Sequence, residues 1–317
     1  MNLPRRPCAQ RIVTAVAVIL LGMFCQNAQT QPARTIKIIV PLAPGGGADI
    51  LTRLLADHIR RTQAFGVIVE NRVGAGSVIG TEAVSLINTP NLVIAGHLRK
   101  LNYDPLTSFE PICKLVNSPT VVAVNAASPY RSLADLVGAA RAHPGDLTLA
   151  SVGPATTLHI SAEKFKRATR ADMTYIPFSG SGPAANALLG EHVTSMFAEY
   201  PAVAEQLKAG KLRALATGSS ARFDPLQELP TVAESGYPGF QVDVWWGVFA
   251  PALTSKTAVS QLADVFSRAV QSPDIQAKLV ALGFYPAIVC GADFVGYMRN
   301  QNDEYGRIIR DANIKAE

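Results

Sequence analysis

The sequence predicts an α/β chain arranged as two lobes with a ligand cleft between them. Three observations carry that expectation. β-Branched runs alternate with stretches of helical apolar spacing along most of the chain, which is the signature of strand–helix units and of largely parallel sheets. Gly-rich turns stand where strand runs give way to helices, as at Pro44-Gly45-Gly46-Gly47. Once an export leader is set aside, roughly 290 residues remain, a length that ordinarily divides into two domains.

In chain order, Ile36–Leu42 is a β-branched run suited to a buried strand. It breaks at the glycines, and Asp49 is expected to open and cap a helix. Leu51, Leu54, Leu55 and Ile59 fall on one face of that helix, with Arg53, Asp57, Arg60 and Arg61 mostly off it. Val67–Val69 is the next strand, followed by the turn Gly74-Ala75-Gly76 and a helix through Val84. Leu92–Ala95 and Val121–Asn125 read as strands. Helix Leu133–Ala142, strand Leu147–Val152, helix Ile160–Ala168 and strand Met173–Phe178 follow. Ala184–Leu189 reads as a short helix, with Pro183 at its first position. Strand Val193–Ala198, helix Val203–Ala209 and strand Leu212–Thr217 come next. The remainder is helical over 257–270, 274–282 and 294–312, with a short strand near Pro286–Val289.

The 317 residues are 48% hydrophobic and 17% charged, which excludes wholesale disorder. A net charge of +5 invites a nucleic-acid reading, but its placement argues otherwise. Arg5, Arg6 and Arg11 lead into a thirteen-residue uncharged run, Ile12–Phe24, and then Gln26-Asn27-Ala28. That run falls short of the ~20 residues of a spanning helix and fits a secretory signal peptide over 1–28. With it go three basic residues and no acid, so +2 remains. No nucleic-acid partner is expected. Export also permits a disulfide between Cys113 and Cys290, although two small buried hydrophobes would serve as well.

Spacing argues against catalytic and nucleotide motifs. Gly45-Gly46-Gly47-Ala48-Asp49-Ile50 and Gly74-Ala75-Gly76-Ser77-Val78-Ile79 both place Ile where a dinucleotide loop wants Gly or Ala, and no phosphate-loop motif exists. Ser161-Ala162-Glu163-Lys164 matches S-x-x-K without its partner motifs. Ser181 lies between glycines, but Ser179 spoils a nucleophile elbow. A secreted serine hydrolase built on Ser161 and Lys164, or on Ser181, is thus the weaker alternative. His159 and Glu163 read as an ordinary helix pair, so neither metal nor cofactor is expected.

The Gly-rich turns do have a non-catalytic use. Where such a turn enters a helix, free N–H groups and the positive helix end bind carboxylate or phosphate without a cation. Gly45–Gly47 lets the backbone approach a ligand closely. Ser179-Gly180-Ser181-Gly182 adds hydroxyls, and Thr156 and Thr157 precede the helix that holds His159. Asp49 reads equally as a cap and as an acceptor for a ligand amino or hydroxyl group. Of Trp245 and Trp246, one is expected to wall the cleft and the other to fill a lobe interface.

Ile39-Val40-Pro41 through Pro44-Gly45-Gly46-Gly47-Ala48-Asp49, then Val69-Glu70-Asn71-Arg72-Val73-Gly74-Ala75-Gly76, resembles the Bug receptors. These are the TctC-type solute-binding proteins of tripartite tricarboxylate transporters. The likeness continues through Tyr103-Asp104-Pro105, Phe109-Glu110-Pro111-Ile112, Ala142-His143-Pro144-Gly145 and Leu188-Leu189-Gly190. It extends to Ala209-Gly210-Lys211-Leu212-Arg213-Ala214-Leu215-Ala216, Leu229-Pro230-Thr231-Val232-Ala233-Glu234 and Ala250-Pro251-Ala252.

The resemblance implies a type II-like periplasmic-binding-protein fold, with lobe 1 over 34–122 and 240–317 and lobe 2 over 123–239. It implies a monomeric, non-enzymatic receptor for a di- or tricarboxylate, a related organic acid or an acidic amino acid. The receptor would deliver its solute to a membrane permease or present it to a sensor protein. The ligand-binding residues it implies are Gly45, Gly46, Gly47, Ala48, Asp49, Ala155, Thr156, Thr157, His159, Ser179, Gly180, Ser181, Gly182 and Glu199. Three departures from the family pattern are expected to alter the cleft. Asn88-Thr89-Pro90-Asn91 with a short Gly96–Asn102 link trims one wall, Pro154 removes an amide donor, and Phe178 replaces a hydroxyl-bearing Tyr.

Overall fold

The computed structural model describes residues 35–63, 65–73, 91–153, 156–311 and 314. The leader, the Gly74-Ala75-Gly76 turn with the helix expected after it, Pro154 and Ala155 lie outside the described residues.

Strand β1 (Thr35–Val40) pairs in parallel with β2 (Gly66–Asn71). Between them runs α1 (Gly47–Thr62). Leu51, Leu55 and Ile59 on its inner face are fully buried, as their spacing predicts. The helix begins two residues earlier than the sequence suggests. Gly46, in extended geometry, is its N-cap, and Asp49 lies in the first turn, because Gly47 itself adopts helical geometry. Asp49 is therefore not the cap.

The apolar run Leu92–Ala95 is part of a helix, α2 (Asn91–Leu98), and not a strand. Four apolar residues carry no period of their own, and packing decides their form. Leu92 and Val93 join a cluster with Phe294 and Met298, and Ile94 packs with Ile160 and Ile309. These partners lie on α9 (Gly291–Asp311) and on α4 (Thr157–Thr169), so α2 is covered from two sides.

β3 (Phe109–Asn125) is seventeen residues long, where the sequence pattern marks only its last five as strand. It organises both halves of the molecule. From Phe109 to Pro119 it pairs antiparallel with β8 (Asp243–Pro251), a strand the sequence pattern did not reveal, and Cys113–Asn117 also pair with β9 (Tyr285–Cys290). From Thr120 onward its partners change to β6 (Ser195–Glu199) and β7 (Leu212–Thr217), again antiparallel. β4 (Thr148–Val152) then lies parallel between β6 and β5 (Thr174–Phe178). The sheets are thus mixed. The parallel expectation fails at β3, which reverses direction against all four of its partners.

Local signals place most helices where the sequence predicts them. α3 (Leu133–Ala142) starts at a capping box formed by Ser132 and Asp135. α4 is capped by Thr156, whose Oγ1 accepts from the His159 N–H at 3.1 Å. α5 (Ser181–Leu189) starts before the expected Ala184, which moves Pro183 to the third position. Its missing N–H is still one that no helical turn would use. α6 (Ala204–Lys208), α7 (Lys256–Gln271) and α8 (Pro273–Ala281) complete the set together with α9. Among the described residues, no helix is long and apolar enough to cross a membrane.

Cys113 and Cys290 face each other in the β3–β9 pairing and form a disulfide across 177 positions of sequence. Of the two open readings of these cysteines, the structure takes the bridge. It staples the strand that precedes α9 onto the strand shared by both halves.

Candidate functional site

The turn after β1 and the turn after β5 meet face to face. The Ala43 N–H points at the Ser179 carbonyl at 3.4 Å. A Cβ built on Gly182 would lie 2.7 Å from the Pro44 carbonyl oxygen, and one on Gly180 would lie 3.0 Å from Ala43 Cβ. Only glycine permits this approach. Gly45 itself has φ +81°, a left-handed conformation that other residues adopt at a cost.

Two helices therefore begin at the same place, α1 at Gly47 and α5 at Ser181. Between them sits the carboxylate of Glu199, from the end of β6. Its Oε1 accepts from the Gly47 N–H at 3.0 Å, and its Oε2 accepts from the Ser181 hydroxyl at 2.7 Å. Each positive helix end favours a negative charge by roughly 0.3–1 kcal/mol, more where water is excluded. Glu199 is 2% exposed. Burial pushes its carboxyl above the usual range, against the opposing bonds from Ser181, its own backbone and Gly47. Among the described residues no lysine or arginine pairs with it.

Gly47 is close-packed as well. A Cβ there would lie 2.9 Å from Glu199 Cγ and 3.3 Å from Trp246 Cζ2. Trp246 is thus the tryptophan that walls the cleft. Trp245 points elsewhere, packing edge-on against Phe294 and Tyr297 and donating to Gln301 at 3.2 Å.

Behind Glu199 lies a cavity of about 10 Å³, lined among others by Leu42, Asn91, Thr156, Thr157, Glu199 and Trp246. Asn91 is a site residue that sequence reasoning missed. Its Oδ1 accepts from the Thr157 N–H at 2.7 Å and from the Thr157 hydroxyl at 3.1 Å, so a side-chain oxygen also stands at the start of α4. The residue opens α2, where the sequence pattern suggests a trimmed loop. Its only signal was a polar residue ahead of an apolar run.

The other expected residues divide. Gly46, Ala48 and Thr156 are buried around this junction, while Gly45 and Ser179 stay exposed at its rim. Ala155 lies outside the described residues. His159 is buried but packs its ring on Tyr175, with centroids 4.7 Å apart, and does not line the cavity. Asp49 is engaged by its own turn and by Asn71 of β2. Oδ2 accepts from the Gly45 N–H at 3.1 Å and Oδ1 from Arg53 Nε at 2.9 Å. Burial alone would raise its carboxyl. Bonds from Arg53, Gly45 and Asn71, together with the Arg53 charge, outweigh that and hold it below the usual range.

The hydrolase constellation does not assemble. The Ser161 hydroxyl donates to the Thr157 carbonyl at 2.6 Å, and Lys164 Nζ donates to the Gln241 carbonyl at 2.7 Å. Among the described residues, no group of three His, Cys, Asp or Glu could hold a metal ion.

Two α/β halves joined by a shared strand, with helix N-termini meeting beside a small cavity, form the architecture of a solute-binding protein. Similarity to known proteins establishes which kind. The chain belongs to the tripartite tricarboxylate transporter family receptors, TctC, whose profile matches residues 51–314. It is 32% identical to Protein BugT of Bordetella pertussis over 327 aligned residues, covering 99% of each chain. Its structure is similar to that of the periplasmic binding protein BugD, with TM-score 0.86 and 30% identity over 90% of this chain and 100% of that one. R. palustris Rpa4515, solved with adipate, follows with TM-score 0.85 and 29% identity over 90% of this chain and 99% of that one.

Proposed function

We propose that this protein is a periplasmic receptor that captures a small carboxylate and hands it to the membrane permease of a tripartite transporter. The supporting observation is the carboxylate already held at the junction. The Gly47 N–H and the Ser181 hydroxyl, each at the start of a helix, coordinate the two oxygens of Glu199. A ligand carboxylate that displaces Glu199 would find the same donors and the same two helix ends. The adipate bound to Rpa4515 fits this reading.

On this reading residues 34–122 and 240–317 form one lobe and 123–239 the other, and β3 is the strand that crosses between them. Ligand contacts come from Gly45–Ala48, Thr156–Thr157, Ser179–Gly182 and Glu199, with Asn91 and Trp246 added, and Asp49 holds the first of these turns. The cavity of about 10 Å³ is far below the ~300 Å³ of an occupied small-molecule site, so capture requires the two turns to part. The leader over 1–28 would direct export and be removed. The receptor performs no chemistry on its solute.

Thermal-shift screening of the exported protein against a carboxylate library tests the reading. A melting temperature that climbs as the ligand exceeds its dissociation constant supports it. A response to sugars or cations, with none to any acid, would overturn it.

A further inference from the structure

A second cavity, of about 400 Å³, lies against β8 on the side away from Glu199. Neighbouring residues of a strand face opposite sides, and the two tryptophans divide accordingly. Trp246 lines the cavity behind Glu199, and Trp245 lines the larger one. The two cavities share no lining residue. The larger is bounded by β3, by α4 from Ile160 to Lys164 and by one face of α9, so elements of both halves of the molecule close it. Its volume lies within the ~300–1,000 Å³ of small-molecule sites.

The charge around this space is unbalanced. Lys114 of β3 and Lys164 of α4 both line it, and Glu304 of α9 is the single acid among the described lining residues. One positive charge is left over. Lys114 is 8% exposed, and its Nζ lies 4.5 Å over the Tyr297 ring. Lys164 Nζ donates to the Gln241 carbonyl at 2.7 Å and lies 5.6 Å from the centre of the Phe240 ring. Rings and carbonyl are neutral partners that fix an ammonium in place. Burial lowers Lys164 from the usual lysine range, against the opposing charge of Glu304. Charges withdrawn from water in this way interact strongly with any anion that enters.

The walls are also held ready. Gln301 accepts from the Trp245 indole N–H at 3.2 Å and donates to Glu304 at 3.0 Å, so one amide sets both the ring and the acid. Ser161, whose hydroxyl donates to the Thr157 carbonyl at 2.6 Å, keeps acceptor capacity toward the cavity it lines.

We propose that this cavity is a second binding site, separate from the cleft, for a small hydroxy acid carrying one negative charge. The ligand carboxylate pairs with Lys114 and Lys164, and its hydroxyls meet Asn117, Ser161 and Glu304. One charge on the ligand matches the one left over in the lining. The occupant touches α4 from one half of the molecule and α9 from the other, so it bridges them. The inference does not depend on what the cleft binds.

Titration calorimetry with D-gluconate as the probe tests this, beside neutral D-glucose and the doubly charged D-glucarate. Gluconate is expected to bind ten-fold tighter than either, and Lys164→Met should weaken it ten-fold or more. Amine acylation followed by peptide mapping locates the site: gluconate should protect Lys164 while the exposed Lys208 reacts at an unchanged rate. No binding of gluconate, or glucose or glucarate binding as tightly, would overturn the proposal. So would gluconate binding that leaves Lys164 unprotected. Should Lys164→Met lose its native circular dichroism, the wild-type titrations and the protection of Lys164 decide. Each overturning result leaves the cleft reading standing, because the two cavities have no residue in common.

Discussion

Glu199 Oε1 accepts a hydrogen bond at 3.0 Å from the backbone N–H of Gly47, a residue 152 positions earlier in the chain. The bond joins the end of β6 to the first turn of α1, and the second carboxylate oxygen holds Ser181 at the first turn of α5. One side chain thereby ties together two Gly-rich turns that share no sequence neighbourhood. The arrangement is a carboxylate site completed by the protein's own acid, and most of the following expectations turn on it.

Closure depends on the absence of a side chain at residue 182. In Gly182→Ala the new Cβ would meet the Pro44 carbonyl oxygen at 2.7 Å, and overpacking of this kind costs about 1–3 kcal/mol. Because capture requires the two turns to part, the variant should lose stability by up to that energy while its ligand affinity stays at or above the wild-type value. Chemical denaturation and titration calorimetry would show the two effects. A marked loss of affinity would mean that the two turns touch when ligand is bound.

The Glu199 carboxyl lies above its ordinary value of 4.5 in the folded chain. Between that ordinary value and the raised folded-state value, the folded chain keeps a proton that the unfolded chain has released, and linkage fixes the sign. The stabilisation from that proton is complete below the ordinary value and is lost as pH rises through the folded-state value. Urea unfolding from pH 4 to pH 8 should show wild type declining relative to Glu199→Gln over that interval. Parallel curves for the two proteins would contradict the assignment.

Asp49 holds its turn by accepting from the Gly45 N–H and from Arg53. Asp49→Ala should destabilise the fold by about 1 kcal/mol, the usual loss for a helix-end acceptor. Asp49→Asn, which keeps one acceptor oxygen, should lose less. Chemical denaturation separates the two variants. An alanine variant of unchanged stability but reduced ligand binding would return Asp49 to direct ligand contact.

The Cys113–Cys290 bridge closes a loop of 177 positions. Removing a native disulfide typically costs about 2–5 kcal/mol, so a Cys113→Ala, Cys290→Ala variant should unfold at clearly lower denaturant. Peptide mapping of the oxidised protein should recover the two cysteines in one linked fragment. Free thiols at both positions would refute the bridge.

A fluorophosphonate probe should label neither Ser161 nor Ser181. The Ser161 hydroxyl is spent on a helix carbonyl, and Ser181 is buried and donates to Glu199, with no histidine at either serine to complete a catalytic set. Covalent capture at one of them would reopen the hydrolase reading.

The family, the α/β class and most helices were legible because they rest on local signals. The capping box of Ser132 and Asp135, the apolar face of α1 and the Thr156 cap are each contained within a few residues. The Gly-rich turns were legible as anion sites for the same reason: a helix start exposes its N–H groups whatever lies opposite. Leu92–Ala95 misleads because its run is too short to carry a period, and its helical form is imposed by Phe294, Met298 and Ile309 from the far end of the chain. The first half of β3 and β8 escape detection because Ile112–Val116 and Val244–Ala250 are continuously buried and show no alternation.

By itself, the sequence determined which segments could expose helix ends to a carboxylate and which residues there had to be glycine, since local backbone sterics and unsatisfied N–H groups depend on neighbours in the chain. Tertiary structure decided what faces those helix ends. It set Glu199 between Gly47 and Ser181, Asn91 at the start of α4, Trp246 beside Gly47, and Cys113 opposite Cys290. Each of those pairings spans from 18 to 199 positions. Their distances follow from how the sheets are threaded through β3, and no local propensity encodes that threading.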